Sequence, residues 1–100
     1  MPWVSSDIGG GPPRAATVGT ASSIVLPQNY GRKRVVFVND SDTAIYLARS
    51  ERAVLNAGIR LNANGGTLVD EPNSLGSIYT GPWAAISAAA TKNLCISEDL

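Results

Sequence analysis

The sequence predicts an all-β protein: a single antiparallel β-sandwich that is jelly-roll-like, or a barrel, with an extended N-terminal arm. Two observations favour this class. Short runs rich in Val, Ile and Thr recur along the chain, and clusters of Gly, Pro, Asn and Ser separate them about every eight to twelve residues. No fixed-period repeat and no heptad pattern is visible. A length of 100 residues suits one domain with its own core.

The first segment differs in composition from the rest, and we assign residues 1–15 to the arm and 16–100 to the sandwich. Gly9–Gly11 and Pro12–Pro13 disfavour both a helix and an interior strand. Trp3, Val4 and Ile8 nevertheless give this arm apolar contact area. The arm is therefore expected either to fold back on its own domain or to dock on a neighbouring chain.

The first half of the domain contains three strand-like runs. The turn cluster between the second and third, Asn39–Thr43, has the length and composition of a hairpin connection. Four apolar β-formers in a row predict that the second run is covered on both faces. The predicted strands lie within Thr17–Leu26, Val35–Val38 and Ala44–Ala48.

Turn and loop signals occur more often in the second half of the domain. Ser50–Leu55 fits a short helix or a wide loop, and Asn64–Gly65 is a strong turn signal. In Trp83–Thr91 a strand is favoured over a helix, and a turn at Lys92–Asn93 would pair it with Leu94–Ser97. The remaining segments are Gly58–Leu61, Thr67–Val69 and Ser77–Thr80, which are strand-like, and Asp70–Gly76, which is a loop.

Composition argues against an enzyme, a cofactor or a metal site. The chain has no His, which is the commonest general base and metal ligand. Its one thiol, Cys95, is predicted to be buried and inert. The acidic cluster around Asp40 and Asp42 departs from a calcium loop because Ile45 stands where that loop needs Gly, so a turn is favoured over a metal site.

Charge and hydropathy also limit the kinds of partner that the chain can bind. Charged residues make up 16% of the chain, against about 25% in typical soluble domains, which indicates that protein partners cover part of the surface. A net charge of zero gives no general attraction to nucleic acid. The N terminus lacks a signal-peptide pattern, and no apolar run approaches the roughly 20 residues of a membrane span. We therefore expect synthesis in a cytoplasm and no membrane contact.

Arg32, Lys33 and Arg34 form the densest charge cluster. In a strand, Arg32 and Arg34 would point one way and Lys33 the other. This favours guarding a strand edge, or contact with an acidic patch of a partner, over binding nucleic acid. Together with Arg14 and the three apolar arm residues, they form the predicted partner-binding set: Trp3, Val4, Ile8, Arg14, Arg32, Lys33 and Arg34.

Several segments taken in order carry a resemblance. They are RKRVVFVNDSD, TAIYLARS, AGIRLNANGGTLVDE and IYTGPWAAISAAATKNLCISE, between Arg32 and Glu98. This series resembles small β-sandwich structural proteins of tailed bacteriophages, of the capsid decoration (cement) or head-fibre-base type. The shared patterns are those of strands and turns and carry no chemical signature.

The resemblance implies a non-enzymatic virion protein that binds the major capsid protein or another virion protein. It also implies a homo-oligomer, with a trimer as one option. A tail, neck or fibre-attachment module is the nearest alternative. From a different class, a glycan- or receptor-binding sandwich would use Tyr30, Tyr46, Tyr79 and Trp83 as a stacking platform.

Overall fold

The described residues form eight strands and contain no helix. The computed structural model describes residues 10–100, so Trp3, Val4 and Ile8 of the predicted arm lie outside the described residues. The strands are β1 (Arg14–Val18), β2 (Ser23–Leu26), β3 (Arg34–Asn39), β4 (Ile45–Ala48), β5 (Ile59–Leu61), β6 (Thr67–Asp70), β7 (Trp83–Ser87) and β8 (Lys92–Asp99).

The strands form two antiparallel four-stranded sheets. Sheet A has the order β1-β8-β3-β6, and sheet B has the order β2-β7-β4-β5. Of the consecutive strands, only β4 and β5 share a sheet, and every other connection crosses from one sheet to the other. This is the strand order of a jelly roll. The predicted all-β sandwich is confirmed, and the sheets do not close into a barrel.

Crossing strands place the connections at two ends of the sandwich. The short-loop end carries residues 19–22, 40–44, 62–66 and 88–91. The long-loop end carries residues 27–33, 49–58 and 71–82. The two ends therefore differ in how much irregular chain they offer for a site.

The core lies between the sheets and follows strand alternation. Val35 and Phe37 of β3 are fully buried and face sheet B. The Phe37 ring packs on Trp83 with centroids 4.8 Å apart, a tilted geometry that aromatic pairs favour. Val36 and Val38 point outward and are only half-buried, so the prediction that this run is covered on both faces is wrong for the isolated chain.

The Asn39–Thr43 segment is not a hairpin, because β3 belongs to sheet A and β4 to sheet B. This connection between the two sheets is a corner, and the fully buried Asn39 side chain stabilises it. Its Nδ2 donates to the carbonyls of Thr43 (2.8 Å) and Leu61 (3.1 Å), and its Oδ1 accepts from Ser41 Oγ (2.6 Å). The same turn residues serve a corner and a hairpin, so local sequence did not separate them.

The C-terminal pairing also differs from the prediction. Trp83–Ser87 is a strand as favoured, but it pairs with β2 and β4 and not with the following strand. The chain turns at residues 88–91, where Thr91 has φ 61°, and Lys92 already begins β8. The predicted turn at Lys92–Asn93 is therefore wrong.

Three further segments with predicted structures are now defined by the fold. Thr17–Leu26 divides into β1 and β2, which lie in different sheets. Ser50–Leu55 is a loop, where Ser50 Oγ bonds to the backbone of Arg52. Ser77–Thr80 forms no strand and belongs to the 71–82 loop.

Candidate functional site

The predicted basic contact residues occupy different environments. Arg14 begins β1 and is exposed, and Lys33 is half-buried next to the start of β3. The Arg34 side chain is 44% exposed and pairs with Asp99 across the strands, with Nε 2.8 Å from Oδ2. These three residues remain accessible at the surface of the chain.

Arg32 lies inside the long-loop end. Its Nε is 2.7 Å from Glu98 Oε2, and the Arg32 side chain has no exposed surface. Its other nitrogens donate to the carbonyls of Tyr79, Gly81 and Pro27 at 2.8–3.2 Å. Arg32 thus ties two loops to β8, and its side chain is not available to a partner of the folded chain.

Within its strands, the outward face of sheet A carries one ion pair, Arg34–Asp99, and no other charged side chain. Alternation in β1, β3, β6 and β8 points one set of small and apolar side chains away from the core. We call this set the sheet A face: Ala15, Thr17, Val36, Val38, Thr67, Val69, Asn93, Cys95 and Ser97. The same alternation points Arg34 and Asp99 outward, so this ion pair lies on the two central strands at one end of the sheet A face.

The registers place the valines of the sheet A face together. Val36 lies between Val69 on β6 and Ser97 on β8, and Val38 lies between Thr67 and Cys95. Val69 is 47% exposed, although it is apolar. The opposite outer face, of sheet B, places Arg60 directly beside Tyr46 and so carries a charge. The two faces of the sandwich therefore differ in net charge, which is zero for the paired Arg34 and Asp99 of sheet A and positive for Arg60 of sheet B.

Cys95 is part of the sheet A face. It is half-buried and outward-facing, with its Sγ 3.6 Å from Asn93 Nδ2. The prediction of a buried thiol is therefore corrected, because alternation in β8 directs Leu94 and Ile96 to the core and Cys95 outward.

The acidic residues of the short-loop end pair with neighbours on β8. Asp42 Oδ1 is 2.6 Å from Lys92 Nζ, and Asp40 Oδ2 accepts from Asn93 Nδ2 at 3.2 Å. The hydrogen bond from Lys92, helped by one from Thr43, lowers the pKa of Asp42 below its usual value. Across residues 10–100, no three His, Cys, Asp or Glu side chains are grouped as a metal site.

A polar pocket of about 280 Å³ opens at the long-loop end. Arg49 and Asp70 form an ion pair in it, with Nη2 2.7 Å from Oδ1, and the Arg49 guanidinium lies 5.5 Å from the centre of the Trp83 ring. Its walls are Arg49, Asp70, Glu71, Asn73, Ser77, Ile78 and Tyr79. Arg49 and Asp70 come from separate strand ends, so no local sequence pattern signals the pocket.

The predicted aromatic platform does not form. Trp83 is completely buried, with Tyr79 edge-on to it at 5.8 Å. The Tyr79 hydroxyl donates to the carbonyl of Pro82 at 2.6 Å. Tyr30 is 83% exposed on the 27–33 loop, whereas Tyr46 lies on the outer face of sheet B. A sugar therefore has no common surface formed by these four rings.

No protein-family model, curated protein or solved structure matches this chain. In the part of the chain that the structure describes, no helix is long and apolar enough to cross a membrane.

Proposed function

We propose that this chain is a non-enzymatic virion structural protein that decorates and stabilises a bacteriophage capsid. Its partner is the major capsid protein or another virion protein. The observation that carries the proposal is the sheet A face. The nine residues of this face are uncharged, so a flat partner that covers them would desolvate no charged group except the Arg34–Asp99 pair at one end.

The fold is compatible with this role. Jelly rolls occur in viral capsid proteins, but also in lectins and cupins, and function depends on the site that a fold carries. The resemblance to phage virion proteins extends over β3 to β8, which includes three of the four strands of sheet A. The predicted homo-oligomer stays a prediction.

The size of the sheet A face sets a limit on single-copy affinity. Four strands about 4.8 Å apart, with outward rows about 6.8 Å apart, give a face of roughly 400 Å². A standard protein interface buries about 800 Å² per partner. A single sandwich would therefore bind weakly through this face. Contacts of the predicted arm, or several linked copies, would supply the missing area.

The first test is the copy number of this chain in purified particles of the virus that encodes it, by quantitative mass spectrometry. Hundreds of copies per particle are expected for a protein that decorates the capsid lattice. About a dozen copies would move the protein to the tail, the neck or a vertex. Absence from the particles would refute the virion role.

A pair of matched variants then tests the face itself. Val69→Lys places a charge on the sheet A face, and Val54→Lys places one on the 49–58 loop, where Val54 is 58% exposed. We expect Val69→Lys to reduce particle occupancy at least tenfold and Val54→Lys to leave it unchanged, while both keep the wild-type unfolding midpoint. Equal occupancy of the two variants would contradict docking through this face.

The salt dependence of particle binding distinguishes docking through the sheet A face from docking through the basic residues. Binding through uncharged residues should change little between low and high salt. A steep loss of occupancy at high salt would instead point to Arg14, Lys33 and Arg34.

A further inference from the structure

The pocket at the long-loop end has the groups of a binding site that the docking proposal leaves unused. We infer that it binds one neutral sugar residue, or an equivalent vicinal diol, through Arg49, Asp70, Glu71, Asn73 and Ser77. This inference does not depend on the proposed function, because the pocket lies at one end of the sandwich and outside the sheet A face.

The first observation is a buried acceptor without a donor. The Asp70 side chain is 9% exposed, and its Oδ1 accepts from Arg49. Its Oδ2 accepts no hydrogen bond from any described residue and has almost no accessible surface, so the Asp70 carboxylate has to rotate slightly for a ligand in the pocket to reach this oxygen. A buried carboxylate oxygen without a donor is costly, and a ligand hydroxyl would satisfy it.

The cation beside this acceptor is also held in place. Arg49 is half-exposed, bonded to Asp70 by Nη2, and lies over the buried Trp83 ring. A guanidinium has five N–H donors, so Arg49 keeps donors for a ligand after pairing with Asp70. A donor and a free acceptor therefore stand side by side, as a vicinal diol requires.

The rim of the pocket is preorganised by its own hydrogen bonds. Asn73 Oδ1 accepts from the backbone nitrogens of Leu75 (2.9 Å) and Ser77 (3.1 Å), and the Asn73 nitrogen donates to the Ser77 carbonyl (2.9 Å). These bonds use the Asn73 oxygen and leave the side-chain amide as a donor. A rim fixed in this way loses little conformational entropy when a ligand binds.

The charges of the pocket select against anions. Arg49 and Asp70 neutralise each other, and Glu71 adds one negative charge that would repel an anion. A neutral hydroxyl can donate to a carboxylate and accept from a guanidinium at once. Ile78 and Tyr79 provide apolar surface for the C–H face of a ring.

Size restricts the ligand to a single residue. The pocket volume of about 280 Å³ is at the lower limit of small-molecule sites, which span about 300–1,000 Å³. A ligand with so few atoms gains limited free energy, so a dissociation constant of the order of millimolar is expected. Longer chains would extend past the exposed rim residues Glu71 and Asn73.

The test is an NMR titration of the full ¹⁵N-labelled chain with glucose, galactose, mannose and N-acetylglucosamine, each to about 50 mM, well above the expected millimolar constant. Saturable shifts at the amides of residues 70–79 and at the Arg49 side chain are expected for at least one sugar. N-acetyl-lysine methylamide serves as the cationic probe. Saturation by that probe alone, or by none of the probes, would overturn the inference.

Variants that spare the ion pair connect the shifts to the pocket. Glu71→Gln and Ser77→Ala are expected to weaken sugar binding about fivefold each, because the first replaces a charged acceptor oxygen with an NH2 donor and the second removes a hydroxyl. Glu51→Gln removes an exposed charge outside the pocket and is the matched control. Equal affinities of all three variants would contradict the assignment. Loss of sugar binding would leave particle docking intact, so the two proposals fail separately.

Discussion

Replacing Arg32 by methionine removes a buried guanidinium and keeps a long apolar side chain in its place. The wild-type side chain makes four hydrogen bonds, one to Glu98 and three to carbonyls of the two loops around it. In the variant, the Glu98 side chain, which is 7% exposed, would remain buried without its partner. The long-loop end should therefore lose its main attachment to β8.

The expected cost is large for a domain of this size. Breaking a buried ion pair by removing one partner costs about 3–5 kcal/mol, because the remaining charge stays desolvated. Small domains are stable by only about 5–15 kcal/mol in total. With a urea m-value of about 1–3 kcal/mol/M, the unfolding midpoint should fall by roughly 2 M.

Arg34→Met is the matched control. Arg34 also pairs with an acidic residue of β8, but 44% of its side chain is exposed, and pairs of this kind contribute about 0–1 kcal/mol. Urea unfolding of the full chain measures both variants, and Glu98→Met with Arg32→Met/Glu98→Met completes a double-mutant cycle. If Arg32→Met and Arg34→Met differ by less than about 0.5 kcal/mol, the buried pair does not hold this end as argued.

Two further predictions concern the short-loop end. Asn39→Ala should destabilise the chain by about 2–3 kcal/mol, because it removes a buried amide with three hydrogen bonds. Asn62→Ala, at an exposed site, should change stability by less than about 0.5 kcal/mol. Urea unfolding measures both variants, and equal effects would contradict the role of Asn39 at the corner. The pKa of Asp42, measured by NMR, should rise toward its ordinary value of 3.8 in Lys92→Met. Since the pKa of Asp42 is lower in the folded state, the stabilising contribution of this carboxyl is present above pH 3.8 and is lost as the pH falls through the lowered pKa. An unchanged pKa in Lys92→Met would refute the attribution to Lys92.

Strands could be predicted from this sequence, but their partners could not. The β-branched residues of Val35–Val38 and the polar cluster after it indicate a strand and a turn in any β fold. Whether that turn makes a hairpin or a corner depends on where the inward side chains find their core. Phe37 packs on Trp83, 46 positions further along the chain, and a contact at that distance leaves no local pattern.

Charged residues were the least predictable part of the candidate sites. Arg32, in a run of three bases, has the local appearance of a surface residue, yet it pairs with Glu98 inside the sandwich. Arg49 and Asp70 likewise meet only because β4 and β6 both end at the long-loop end. The sequence identified basic contact residues by type, whereas burial depends on the packing of distant strands.

The pairing of charges inside the fold relates the low fraction of charged residues to the valines that face outward from sheet A. Asp70 and Glu98 lie opposite Val35 on its two neighbouring strands and face inward, and each is paired with an arginine. Carboxylates that neutralise arginines within the fold contribute little to a solvating coat. In the same sheet, β3 exposes Val36 and Val38 on a face whose one charged pair, Arg34–Asp99, lies at its end. Four consecutive β-formers gain little for an isolated sandwich, since only Val35 and Phe37 are needed for its core. The run makes physical sense when a partner covers the outward pair, and this is why we place the contact on sheet A.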